Sequence, residues 1–182
     1  LFPYTTLFRS HEFPRRVVEL YKEAADVLLK KWDPSRHVRR DSLYKALSSG
    51  RKEQLLSVVA RDTFESGRYF FRISHVKETI ENFFKSLPDQ VDEIDVEVVL
   101  QSIESQHGLI IERASGMYSF SHLTLHEYFC SRHIVTSGRS EDIGGLNRLI
   151  DDRWREIILM VSSQLTNADQ LLQKLVSSLA EI

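Results

Sequence analysis

The residues best equipped for chemistry lie in one run, Tyr118-Ser119-Phe120-Ser121-His122-Leu123-Thr124-Leu125-His126-Glu127-Tyr128-Phe129-Cys130. A short strand over Met117 to Phe120 is expected to run into a helix, with a capping box at the joint. There Thr124 would accept from the amide of Glu127, and the Glu127 carboxylate would reach back to the amide of Thr124. His122 stands just outside that cap. A helix N-terminus carries unpaired N–H groups and a partial positive charge, so a histidine beside it can help grip an anion such as phosphate. The competing reading is a strand-end histidine bonded to neighbouring backbone.

Other chemistry is weaker. His126, Cys130 and His133 share one side of the helix, but three ligands from one short helix point outward in parallel and no fourth is visible, so no metal is expected. Cys130 paired with either histidine lacks an oxyanion hole and an orienting carboxylate, and it reads as a buried structural cysteine. His126 reads as exposed. A phosphate-binding loop needs glycines and a Lys followed by Ser or Thr, and no glycine here precedes a lysine. No catalytic set is expected within the chain.

The elements that must position this run follow from periodicity. Pro14 suits the first turn of a helix bearing Val17, Val18, Tyr21, Ala24, Ala25, Leu28, Leu29 and Trp32 on one stripe, which Asp33-Pro34 ends. The basic residues Arg36, His37, Arg39, Arg40, Arg51 and Lys52 read as a solvated linker. A second helix is expected from about Lys52 to Phe64, then a connector with Phe70 and Phe71, then a third helix from near Ser74 to Pro88. Asp95 caps a fourth, ended by Gly108, and Leu109–Arg113 with Met117–Phe120 read as a hairpin. Past the helix that follows His122, Asp151 to Glu156 opens another, and Asn167 caps a last one. The fold class is mainly α: helical segments around a winged helix with one small β-hairpin wing.

Composition sets bounds. With 182 residues, 42% hydrophobic and 27% charged residues and a formal net charge of -2, the chain matches an ordinary globular protein with no global pull toward nucleic acid or anionic membrane. No apolar run reaches the twenty or so residues of a membrane span. The single cysteine excludes an intrachain disulfide and fits a reducing, cytoplasmic setting. Between Lys85 and Arg113 there is no Lys or Arg, whereas Asp89, Asp92, Glu93, Asp95, Glu97 and Glu104 load the would-be recognition helix and its approach. DNA phosphates would repel it.

Phe120 to Phe129 resembles the F-x-H-[LM]-[TS]-F-Q-E-[YF]-[FL] signature that closes the winged-helix domain of NACHT-family STAND NTPases, signal-transducing ATPases that include inflammasome sensors and bacterial defence proteins. Leu125 stands where the family usually has an aromatic, and His126 where it has glutamine. Phe13 to Asp33, Val99 to Glu104 with Gly108-Leu109-Ile110, and Asp151 to Glu156 are similar to further parts of that family. The resemblance implies a division into 11–50, the end of the first helical domain with a linker; 51–121, the winged-helix domain; and 122–182, the start of a second helical domain. Residues 1–10 resemble translated sequencing-adapter DNA, and the native sequence is expected to start near His11. Also implied are contact of His122 with the phosphates of ADP, held in a closed, inactive form, and Thr124 and Glu127 as the cap behind it. ADP or ATP with Mg would be bound by the parent protein, whose Walker motifs lie upstream. The partners implied are the NACHT nucleotide-binding domain in cis and further copies on activation, with no DNA and no membrane. Bacterial members imply antiphage defence. The alternative from a different class is a winged-helix adaptor or transcriptional regulator without nucleotide.

Overall fold

Helix α3 (Ser49–Glu65) is the spine on which the other elements are laid. In the computed structural model, which describes residues 16–30, 42–88 and 94–180, its inner face of Leu55, Leu56, Val59, Ala60 and Phe64 is withdrawn from water almost completely. Burying each of these larger side chains stabilises the fold by about 2 kcal/mol. Ser48 starts the helix by accepting the amide of Arg51 at 3.3 Å.

The elements that follow are β1 (Phe71–Arg72), α4 (Ile73–Lys85), α5 (Val96–His107), β2 (Ile110–Ala114) and β3 (Met117–Phe120). With α3 they give the helix–strand–helix–helix–hairpin order of a winged helix. Asp95 caps α5 through two amides, at 3.1 and 3.2 Å, and Gly108 ends it in the left-handed conformation, φ 60°, as its residue types predicted. The sheet departs from expectation. Phe71 is not connector but strand, pairing with Tyr118, so the sheet has three antiparallel strands in the order β1-β3-β2 and the wing is a hairpin with a third, two-residue edge. Phe71 is fully buried while Phe70 beside it is exposed, the alternation that a strand imposes.

Helix α6 (Leu123–Thr136) leaves the end of β3 and lies along α3. Helix α1 (Val17–Lys30) packs on both, and α8 (Arg155–Gln164) covers the far side of α6. A short helix α2 (Ser42–Ala46) occupies part of the expected linker, with Tyr44 buried against α5. Lys52, expected in solvent, is buried: its ammonium lies 5.0 Å from the centre of the Tyr44 ring, and burial lowers its pKa. The remaining helices, α7 (Leu146–Leu149) and α9 (Asp169–Leu179), close the C-terminal side. Asp151 and Asn167 each accept a backbone amide two residues on, from Arg153 at 3.1 Å and Asp169 at 2.7 Å. Residues 1–10, the basic group Arg36, His37, Arg39 and Arg40, and the acidic Asp89, Asp92 and Glu93 lie outside the described residues. Among the described residues no helix is long and apolar enough to cross a membrane.

Candidate functional site at the start of α6

Sheet pairing decides where α6 can begin. Phe120 pairs with Ile110, and the amide of Ser121 still donates to the Leu109 carbonyl at 2.9 Å, so the chain stays extended through Ser121. His122 is then the last residue outside the helix, with φ -137° and ψ 140°. Its carbonyl accepts the amides of Leu125 and His126, at 3.1 and 3.2 Å, and its imidazole makes no cap hydrogen bond and lies exposed. The amides of Leu123 and Thr124 precede the first intrahelical acceptor, as at the start of any α-helix.

The expected capping box is therefore absent. Thr124 is already the second helical residue and is exposed, and Glu127 lies a full turn into the helix, where it is buried. No hydrogen bond reaches the Glu127 carboxyl among the described residues. Burial, with Glu156 nearby, pushes its pKa up to about 7. Neither residue supports His122 as a cap.

His126 is the second correction. Instead of facing solvent it is 1% exposed, stacked on Phe120 with ring centres 4.6 Å apart and 12° between planes, and edge-on to Phe64 and Tyr69. Its Nε2 lies 2.9 Å from Thr63 Oγ1 and 3.1 Å from the Ala60 carbonyl. The Thr63 hydroxyl already donates to Val59 at 2.7 Å, so both neighbours of Nε2 accept and that nitrogen carries the proton. Burial holds the pKa of His126 at about 4, and the ring stays neutral. It ties α6 to α3 one turn below His122.

Cys130 is buried, and its thiol is pushed up to about 12, which leaves no thiolate for nucleophilic work at neutral pH. His133 is half-buried, with a pKa lowered by burial and by Arg61. Among the described residues no three His, Cys, Asp or Glu side chains gather into a metal site.

Two features had no counterpart in the sequence reading. His107 at the end of α5 donates Nδ1–H to the Leu28 carbonyl at 2.8 Å, pinning α1 to the winged helix, and burial lowers its pKa to about 4. Beside the α6 terminus lies a cleft of about 340 Å³, lined by Tyr69, Phe70, Arg113, Ser119, Phe120, Ser121, Leu123 and His126. Arg113 holds Ser119 Oγ at 2.9 Å and the Ser121 carbonyl at 3.1 Å, bracing the strand just before His122. The pairing of β1 with β3 brings Phe70 to this side, and a two-residue strand leaves no periodicity from which that could be read.

No curated protein and no solved structure matches the chain. Residues 17–134, from the start of α1 nearly to the end of α6, match the family described as the winged helix-turn-helix domain C-terminal to NACHT. That match takes in every element of the winged helix and most of the helix that presents His122, and it covers well over half of the chain. The chain belongs to the family of winged helix-turn-helix domains that lie C-terminal to NACHT.

Proposed function

We propose that the chain is the regulatory, autoinhibitory lid of a NACHT-type signalling NTPase, closing on ADP held by the preceding nucleotide-binding domain through His122. The observation that carries this reading is the state of His122: exposed, uncommitted to any cap and next to the free amides that open α6. Such a group can add its own donor to those of a helix terminus around a phosphate oxygen. The rigid backing, with α6 tied to α3 through His126 and the strand braced by Arg113, favours a preset grip over one assembled on contact.

In this reading the chain divides into the end of a first helical domain, the winged helix and the start of a second helical domain, with boundaries near residues 50 and 121. Hydrolysis belongs to Walker residues upstream that hold ATP and Mg. Exchange of ADP for ATP, or a trigger, shifts the population toward an open form in which copies of the parent protein assemble. The module acts in cis, in the cytoplasm, without DNA or membrane; α5 presents Glu97 and Gln101 outward, an unfavourable surface for a phosphate backbone. Bacterial members of the family make phage defence the process in which such a switch would serve.

The test starts upstream. The coding sequence preceding His11 should hold a Walker loop, an acidic Mg-binding motif and a helical domain, and the protein purified from it should carry ADP. A reading frame that opens with its own start codon near His11 would remove the nucleotide partner and favour an adaptor instead.

A further inference from the structure

The cleft beside His122 is built for something other than phosphate. Ser121 and Leu123 flank His122 in sequence and both line it, so a domain gripped through His122 comes within a few ångströms of the opening. Its walls carry two large exposed apolar side chains, Phe70 at 62% and Leu123 at 53% exposure. Its floor is rigid, because His126 is stacked on Phe120 and held edge-on by Tyr69. At the rim, the partners of Arg113 among the described residues are neutral oxygens, the Ser119 hydroxyl and the Ser121 carbonyl. Among the described residues no carboxylate pairs with it and no acid lines the cleft. A guanidinium without a counter-charge, set between apolar walls, complements a carboxylate that arrives together with an apolar neighbour.

We propose that this cleft seats an apolar side chain and an adjoining carboxylate, both presented by the nucleotide-binding domain that precedes the module. This rests on the lid reading and adds the surface by which the lid is held shut. A polyanion is a poorer occupant, since a single cation between apolar walls gives it little charge to neutralise. A second copy is poorer as well, because a two-fold contact centred on the cleft sets Arg113 against Arg113. Phe70 and Leu123 supply the area removed from water, and Arg113 supplies register and orientation.

The experiment compares amide exchange across residues 69–72 and 119–125 in the ADP-loaded full-length protein and in the separate 182-residue chain. Exchange there should slow about tenfold or more in the full-length protein. Arg113→Glu and Leu123→Asp, both at exposed positions, should abolish the slowing and speed ADP release, whereas Arg113→Lys should keep part of it. Circular dichroism of each variant checks that the fold is kept. Equal exchange in the two proteins would overturn the proposal. So would slowing in the separate chain that grows with its concentration, which marks a second copy, or slowing that survives both charge-introducing variants. The two readings separate cleanly. If His122→Ala speeds ADP release but the cleft variants change nothing, the lid stands and its seat is elsewhere. If the cleft variants abolish the slowing while His122→Ala leaves ADP release unchanged, the seat stands and the phosphate grip fails.

Discussion

Replacing His126 by Gln should make the fold less sensitive to acid. In the native protein burial holds His126 neutral with a pKa of about 4, against an ordinary value of 6.5. Between those values the unfolded chain binds a proton that the folded chain does not, so stability falls as pH falls through that window. The interval corresponds to about 3 kcal/mol, at about 1.4 kcal/mol for each tenfold change in proton activity. His107, with its pKa also near 4, acts in the same direction. Glu127 opposes both: its folded pKa is raised to about 7 from 4.5, so it contributes stability as pH falls between those values. The difference between native and variant proteins removes the terms they share. At pH 7 the variant should be weaker by about 1 kcal/mol, through loss of the stacked contact with Phe120, while its amide replaces the donor to Ala60 and Thr63. By pH 4 that gap should have closed and reversed by a total of about 3 kcal/mol. Denaturant unfolding followed by circular dichroism at pH 7, 6, 5 and 4 measures the gap directly. A gap that stays constant across the series would mean that His126 is not a buried neutral imidazole, and the account of how α6 is tied to α3 would be wrong.

Other perturbations have simpler arithmetic. His122→Ala should change the stability of the separate chain by no more than about 0.5 kcal/mol in chemical denaturation, because the side chain is exposed and caps nothing. Trp154→Ala should cost about 3 to 5 kcal/mol by the same assay, since the indole is buried edge-on to Phe64 at 5.3 Å and lies under the Arg148 guanidinium at 4.5 Å. Gly108→Ala should cost about 1 kcal/mol: the nearest atom to the new Cβ is 4.0 Å away, so the penalty is the left-handed backbone alone and should appear as a modest fall in Tm.

The sequence carried the winged-helix order wherever an element was long enough to show a period. Val96, Val99, Leu100 and Ile103, with Asp95 and Gly108 at the ends, define α5 without tertiary information. What escaped was set by contacts between distant residues. Strand β1 has two residues and exists only because β3 pairs with it. The start of α6 depends on the bond from Ser121 to Leu109, the last of the sheet, after which the helix begins at Leu123, two residues earlier than a cap at Thr124 would place it. Lys52 looked solvated because its neighbours are basic, yet Tyr44 and Gln106 are brought over it from other helices, with Gln106 Oε1 3.4 Å from its ammonium. The burial of His126 was readable in part, since it precedes Phe129 and Cys130 by three and four residues on the same face; treating histidine as polar hid that signal. The cleft could not be read at all, because Phe70, Arg113 and Leu123 meet only after the sheet and α6 have formed.

The proposed role turns on one exposed imidazole, and the most direct measurement is the rate at which ADP leaves the full-length protein with and without it. A hydrogen bond from His122 to a phosphate oxygen should be worth about ten- to a hundredfold in that rate. His122→Ala is therefore predicted to release labelled ADP faster by that factor, with the unfolding midpoint of the separate chain unchanged. Equal release rates for the two proteins, each loaded with ADP, would contradict the claim that the module closes on the nucleotide through His122.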